Sequence, residues 1–340
     1  MFYFYKSLFL SSLILGTLIS ISSYSWMGMW LGLEINLLSI IPLMSSTENQ
    51  LASEAALKYF ITQALASTMI LFSIIMLSFN IMYNIDMNFY FNIIMNTALF
   101  TKMGAAPFHF WFPEIIEGLN WNNTFIMLTW QKIAPMILIM YSNMTIFYTS
   151  TVIIMSSLIS GIMGMNQTSL RKILTYSSIN HIAWMLSASL LSEMIWFYYF
   201  LIYSLINLNI IIIFKKFNLF YIKQLFIVLN NKLLIKFFFL MNFLSLGGLP
   251  PFMGFFPKWL TIQMLTQFNY YSLTFMMIIS TLITLYFYMR ITMSILILST
   301  NELSFNQFIP TMNMKLNGIY LLNFIVLFSF ILCTILFNFM

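Results

Sequence analysis

Residues 107–114 read PFHFWFPE and residues 251–258 read PFMGFFPK, so nearly the same motif occurs twice in this chain, 144 positions apart. A glycine stands three residues upstream of each, Gly104 and Gly248, and both motifs interrupt apolar runs of helix length. Proline removes a backbone donor and clashes with the preceding turn. Pro107 and Pro113 in the first motif, and Pro250, Pro251 and Pro257 in the second, are therefore expected to mark helix breaks. In hydrocarbon a broken backbone is tolerated only where protein buries it or where it lines a wet cavity. Two Gly/Pro-interrupted segments at matching positions in two halves point to a transporter built from internal repeats. The expected fold is an all-α, polytopic transmembrane helix bundle that moves a solute.

Only 6% of the 340 residues are charged and 61% are hydrophobic, whereas a soluble domain carries about 25% charged residues. The net charge of +6 excludes nothing by itself, but its distribution does. The basic residues are spread over short loops, where they set membrane orientation rather than bind nucleic acid. The single cysteine, Cys333, leaves no intramolecular disulfide framework and no cysteine-rich metal site. The start MFYFYKSLFL runs straight into an apolar segment without an Arg- and Ser-rich leader, so the N-terminus is expected to be retained.

Apolar run length gives eleven spans, at about 7–23, 26–44, 56–79, 90–117, 123–141, 148–165, 170–190, 194–214, 237–264, 271–298 and 317–339. The segment 215–236 mixes lysines with Phe, Leu and Ile, and reads as an amphipathic stretch on the membrane surface rather than a twelfth crossing. With the loops numbered alternately, Lys6, Lys58, Arg171, Lys172, Lys215, Lys216, Lys223, Lys232, Lys236 and Lys315 share the side of the N-terminus. The opposite side holds Asp86 and Glu193. The N-terminus is then expected on the inner side and the C-terminus outside. The two motifs lie in spans four and nine, an odd number apart, so they point oppositely through the bilayer. This predicts inverted five-helix repeats: residues 1–145 as a first half-channel, 146–300 as a second, and 301–340 carrying the appended eleventh span.

Four charges stand near the middle of spans or beside a break: Glu34 in WLGLEINLL, Lys102 in ALFTKMGAAP, Lys132 in MLTWQKIAPM and Lys258 in GFFPKWL. An ionised group at helix centre costs about 2.5–3.5 kcal/mol on insertion scales, a burden that points to function. Desolvation penalises the charged form of buried lysines and carboxylates alike, so such groups exchange protons nearer neutral pH. One carboxylate and three separated lysines suit a proton relay and make a poor metal site. His109, within the first break, is a candidate relay group or a donor to a carbonyl freed by proline. His181, beside Ser177, Ser178 and Asn180, is a relay candidate for the second half or a partner in an interhelical hydrogen bond. Pro135 removes the donor that would bond the Gln131 carbonyl, making room for water beside Lys132. Glu54 and Lys58, one turn apart, read as an end-of-span ion pair, and Glu114 with Glu117 as solvated surface. The Gly28–Gly32 spacing suits close helix packing near Glu34. No dinucleotide fingerprint, Walker loop, haem or iron–sulfur spacing occurs. Neither a bound cofactor nor a metal is expected.

GLEINLLSIIP around Glu34, KMGAAPFHFWFPE around Lys102, LTWQKIAP around Lys132, NQTSLRKILTYSSINH and NFLSLGGLPPFMGFFPKW around Lys258 resemble the mitochondrial antiporter-like membrane subunits of NADH:ubiquinone oxidoreductase, respiratory complex I, in their insect form. The resemblance covers essentially the whole chain. It implies a proton-translocating subunit in the mitochondrial inner membrane, with the N-terminus and basic loops in the matrix and the C-terminus in the intermembrane space. It places the family's glutamate on Glu34, its first channel lysine on Lys102, its central lysine on Lys132 and its second-half lysine on Lys258. NADH, FMN, the iron–sulfur clusters and ubiquinone are implied for other subunits of the complex, and the partners are membrane-arm subunits and the lipid bilayer. The alternatives are a subunit of a Na+/H+ antiporter complex, which shares the fold, and a scaffold subunit without transport.

Overall fold

The computed structural model describes residues 4–46, 49–83, 87–142, 144–230, 233–250, 252–297 and Asn323. Apart from Asn323, the expected span 317–339 lies outside the described residues, as do Pro251, Cys333, Lys232, Lys315 and Asp86. The described residues form helices and no β-strand, with one isolated bridge between Ser169 and Tyr221. The chain is an all-α, multi-pass membrane protein. Seven helical stretches among the described residues are long and apolar enough to cross a bilayer.

The chain divides into two compact units, Met1–Ser156 and Ser157–Met340. The first holds α1 (Phe4–Ser22), α2 (Trp26–Met44), α3 (Gln50–Tyr83), α4 (Asn88–Met103), α5 (Trp111–Gly118), α6 (Trp121–Leu128) and α7 (Trp130–Tyr141). The boundary falls within α8 (Ile146–Met165). The second unit holds α9 (Leu170–Ser189), α10 (Glu193–Phe217), α11 (Ile222–Asn230), α12 (Leu233–Gly247), α13 (Phe255–Gln267) and α14 (Tyr271–Ile297).

In the first unit α1 and α2 pack backbone to backbone. A Cβ on Gly32 would lie 2.5 Å from the Ser20 nitrogen, and one on Gly16 would lie 2.9 Å from the Asn36 nitrogen. Gly32 thus serves contact with α1, whereas Gly28 faces Ser23 and Ser25 of the preceding turn, and Leu33, Asn36 and Leu37 are among the buried positions of α2. The Trp30 indole donates to the Ser67 carbonyl at 3.1 Å and ties α2 to α3.

The two motif-bearing runs are each split into two helices, and the splits match residue for residue. α4 ends at Gly104 with φ 75°, and α12 ends before Gly248 with φ 77°. Left-handed backbone of this kind at a helix end favours glycine. Helix resumes seven residues after each glycine, at Trp111 and at Phe255. Pro107 and Pro250 lie in the non-helical link. Pro113 and Pro257 sit in the first turn of the resumed helices, where a backbone N–H has no helical partner and its loss is harmless.

A further interruption carries no glycine or proline of its own. The run 121–141 breaks at Thr129 (φ −118°, ψ −71°), whose hydroxyl donates back to the Phe125 carbonyl at 2.7 Å. Back-bonding of this type bends helices. Pro135 lies within α7 beyond it.

In the second unit α9 is buried along nearly its whole length, from Ile173 to Ala188. It packs against α10, α13 and α14. Its serines, asparagine and histidine keep it out of the set of strongly apolar spans, and protein rather than lipid surrounds them. No described helix lying within 215–236 is long enough to cross by itself. α10 stops at Asn218 in left-handed conformation, and the nine residues of α11 reach only about 14 Å at 1.5 Å per residue, against a hydrocarbon core of about 30 Å. Leu225 and Leu229 of α11 are buried while Lys223 is exposed.

Candidate functional site

Lys102, Lys132 and Lys258 are all buried, with 7%, 1% and 5% of their surface exposed. None of the three snorkels to an interface. Each sits at or beside a helix interruption, because those interruptions supply polar backbone where a charge would otherwise meet hydrocarbon.

Lys102 occupies the last turn of α4, two residues before Gly104 at the break. A cationic side chain is favoured there by the partial negative charge of the helix C-terminus. Its side chain lines a cavity of about 10 Å³ with Leu33, Asn36 and Leu37 of α2, Tyr59 and Gln63 of α3, and Gln131 and Pro135 of α7. The Gln131 amide nitrogen donates to the Asn36 side-chain oxygen at 2.8 Å. The Tyr59 hydroxyl approaches the Gln131 side-chain oxygen at 3.5 Å. Glu34 is half-buried on α2, and its carboxylate acts electrostatically on Lys102 without closing to an ion pair.

Lys132 lies in the first turn of α7, just past the Thr129 interruption, and its backbone nitrogen donates to the Thr129 carbonyl at 3.2 Å. Its ammonium stands 5.7 Å from the centre of the Phe112 ring, within cation–π range. Phe112 belongs to α5 and also covers Gly104, where a Cβ would lie 3.3 Å from it. One aromatic ring thus separates the first break from the central lysine. His109, inside that break, is buried with its Nδ1 3.3 Å from the Pro107 carbonyl.

Lys258 is placed differently. It projects from the first turn of α13 back onto the end of α12, where its ammonium donates to the Gly247 carbonyl at 2.9 Å and the Leu246 carbonyl at 3.4 Å. It caps the carbonyls that the break leaves without partners. At the end of α4 the Trp111 indole bonds the Thr101 carbonyl at 3.1 Å, a carbonyl that also accepts from the Gly104 nitrogen. The first-repeat counterpart of Lys258 is Glu114, which pairs with Lys58 at 3.0 Å. Lys58 also meets Glu54 at 2.9 Å, so Glu114 joins an exposed ion-pair cluster rather than standing alone in solvent. Exposed pairs of this kind contribute little, about 0–1 kcal/mol each.

Near Lys258, Trp184 of α9 has its ring centre 5.9 Å from the ammonium. One turn away on the same helix, His181 Nδ1 is 2.8 Å from the Tyr199 hydroxyl, and its ring lies 5.0 Å from that of Tyr203. Asn180 donates to the Thr284 hydroxyl at 3.2 Å. The second unit therefore gathers His181, Tyr199, Tyr203 and Asn180 around the buried α9.

Within the first unit the fold brings together Glu34, Lys102 and the helix of Lys132; within the second it brings Lys258 near the helix of His181. Sequence reasoning did not single out Tyr59, Gln63, Trp111 or Tyr199. Neutral polar and aromatic residues are common in apolar runs, and nothing in their spacing marks them. Among the described residues no three His, Cys, Asp or Glu side chains gather where a metal ion would bind.

Residues 23–284 match the family described as NADH:quinone oxidoreductase/Mrp antiporter, TM. The chain is 50% identical to NADH-ubiquinone oxidoreductase chain 2 of Anopheles gambiae, over 94% of each protein. It is 47% identical to the protein of that name from Locusta migratoria over 87% of each, and 41% identical to that from Mammuthus primigenius over 84% of each. A chain of respiratory complex I from Thermus thermophilus has the same fold, with a TM-score of 0.79 at 22% identity, covering 86% of this chain and 71% of that one. A chain of the Mrp complex from Dietzia matches with a TM-score of 0.71 at 16% identity, over 82% of this chain and 58% of that one. The chain belongs to the NADH:quinone oxidoreductase/Mrp antiporter transmembrane family, among its NADH-ubiquinone oxidoreductase chain 2 members.

Proposed function

We propose that this chain is a membrane-arm subunit of respiratory complex I in the mitochondrial inner membrane. In this reading it translocates protons while NADH is oxidised and ubiquinone reduced in neighbouring subunits. The observation that carries the reading is the burial of three lysines, Lys102, Lys132 and Lys258, at helix interruptions. Glu34 modulates Lys102: when the carboxylate is charged it favours the charged lysine, and when that influence weakens the lysine releases its proton. Lys132 serves as the carrier at the centre of the first unit. Lys258 serves the second unit, where backbone carbonyls stabilise its charge without neutralising it, so that a proton can still leave. NADH, FMN, iron–sulfur clusters and ubiquinone belong, in this proposal, to other subunits. The basic loops face the matrix and the C-terminus the intermembrane space.

A sodium antiporter is the second reading, favoured by the fold shared with an Mrp chain. The cavity beside Lys102 speaks against it, since its wall contains a lysine and amides but no carboxylate, whereas alkali and alkaline-earth cations prefer carboxylate-rich oxygen sites. Replacing Lys132 by Met keeps the bulk and removes the proton site. In the assembled complex both pumping and quinone reduction should fall by about tenfold or more, a barrier rise of at least about 1.4 kcal/mol. Wild-type rate and full protons per NADH in Lys132→Met would leave the chain a scaffold.

A further inference from the structure

We propose that Gln63 is a positioning residue that holds a bound water between Lys102 and Gln131, and that this water takes up and returns the proton of Lys102. The inference rests on the proton-translocating reading and adds to it a residue and a ligand. Gln63 is 4% exposed, and its side-chain nitrogen is buried without a hydrogen-bond partner. A buried amide donor left unmade is costly, and an ordered water is the usual remedy. Gln63 lies in the wall of the cavity that also receives Lys102 and Gln131, and the cavity volume, about 10 Å³, is water-sized.

The polar groups around it supply the partners a water needs. Gln131 is fixed in orientation by its 2.8 Å donation to Asn36, which turns its oxygen toward Tyr59. That oxygen meets Tyr59 only at 3.5 Å and so retains capacity to accept. A water here accepts from Gln63 and from the Lys102 ammonium, and donates to Gln131. Pro135, which removes the helical donor to the Gln131 carbonyl, is part of the same wall.

Lys102 differs in this respect from Lys258, whose ammonium is already held by two backbone carbonyls. A water can donate to the neutral amine and accept from the ammonium, so it serves Lys102 in both states. In the transfer a proton leaves Lys102 Nζ for the water oxygen while that water passes one of its own protons to the next water. Lys102 is left neutral, the bound water is unchanged, and no other reactant is consumed.

Two measurements on the assembled complex test this. A high-resolution electron cryomicroscopy map should show density within about 3 Å of both Gln63 Nε2 and Lys102 Nζ, and Gln63→Met should lose it. Pumping-coupled NADH oxidation in Gln63→Met should fall about tenfold with a larger solvent deuterium isotope effect. Gln63→His, which restores an N–H donor of similar reach, should recover rate and isotope effect. Absence of the density, or wild-type rate and isotope effect in Gln63→Met, overturns the water site. Lys102→Met separates the two levels of the argument: lost pumping there beside a silent Gln63→Met sinks only the water, whereas full pumping in Lys102→Met sinks the reading on which it rests.

Discussion

Gly248 and the Lys258 side chain compete for the same space. A Cβ at Gly248 would lie 2.7 Å from Lys258 Cδ and 2.8 Å from its Nζ, on a backbone already at φ 77°. Gly104 has nearly the same φ, 75°, but a Cβ there meets nothing closer than 3.3 Å, at Phe112 and Trp111. Left-handed backbone costs an L-residue about 1–2 kcal/mol at either site. Only at Gly248 does the added methyl also push a charged group off its carbonyls. Gly248→Ala is therefore expected to reduce pumping well beyond Gly104→Ala when both are compared in assembled complex; equal losses would show that the seat of Lys258 does not matter. The lysines themselves stand out in the sequence because charge is rare in long apolar runs. Their surroundings do not. Gln63 and Tyr59 acquire meaning only from lying opposite Lys102, on another helix and about 40 residues away along the chain, a tertiary fact that no local pattern encodes.

Among the elements, the repeated break was the most legible feature, because glycine and proline act on the backbone directly. α2 likewise spans Trp26–Met44, matching the 26–44 read from its apolar run. The interruption at Thr129 was not legible. Thr62, Thr68 and Thr97 also bond one turn back yet leave their helices unbroken, so the residue type alone does not mark the break. The close α1–α2 contact offers a test at this scale. The Gly32 Cα faces backbone atoms of α1, so a larger residue cannot be accommodated by rotating a side chain. Gly32→Val should force the two helices apart, an overpacking cost of about 1–3 kcal/mol, and lower the amount of assembled complex on native gels. Undiminished assembly with unchanged thermal stability would contradict the tight packing.

For the whole molecule, orientation is the property that the sequence argued and the fold must accommodate. At one end of the second unit, Arg171 lies over the Phe220 ring at 4.4 Å, and Leu170 and Ile222 exchange backbone hydrogen bonds with Phe220 and Thr168. Arg290 reaches the Gln167 carbonyl in the same loop at 3.4 Å. Two basic residues from separate segments, Arg171 and Arg290, thus meet at one end of the second unit. Protease added to the matrix face of inverted inner-membrane vesicles should cut within 215–236, while mitoplasts exposing the outer face should be resistant; cleavage from the outer face would reverse the assigned orientation. The polar, enclosed α9 carries a consequence for how the protein is made. Taken alone, residues 170–189 hold too many serines, with an amide and an imidazole, to partition stably into lipid, so this helix is expected to wait at the insertion machinery until α10 arrives to shield it. In a glycosylation reporter, segment 170–189 should insert poorly by itself and well when continued to residue 217. The order of synthesis would then be part of the fold's specification, with a late-arriving neighbour acting as the solvent that an earlier helix needs.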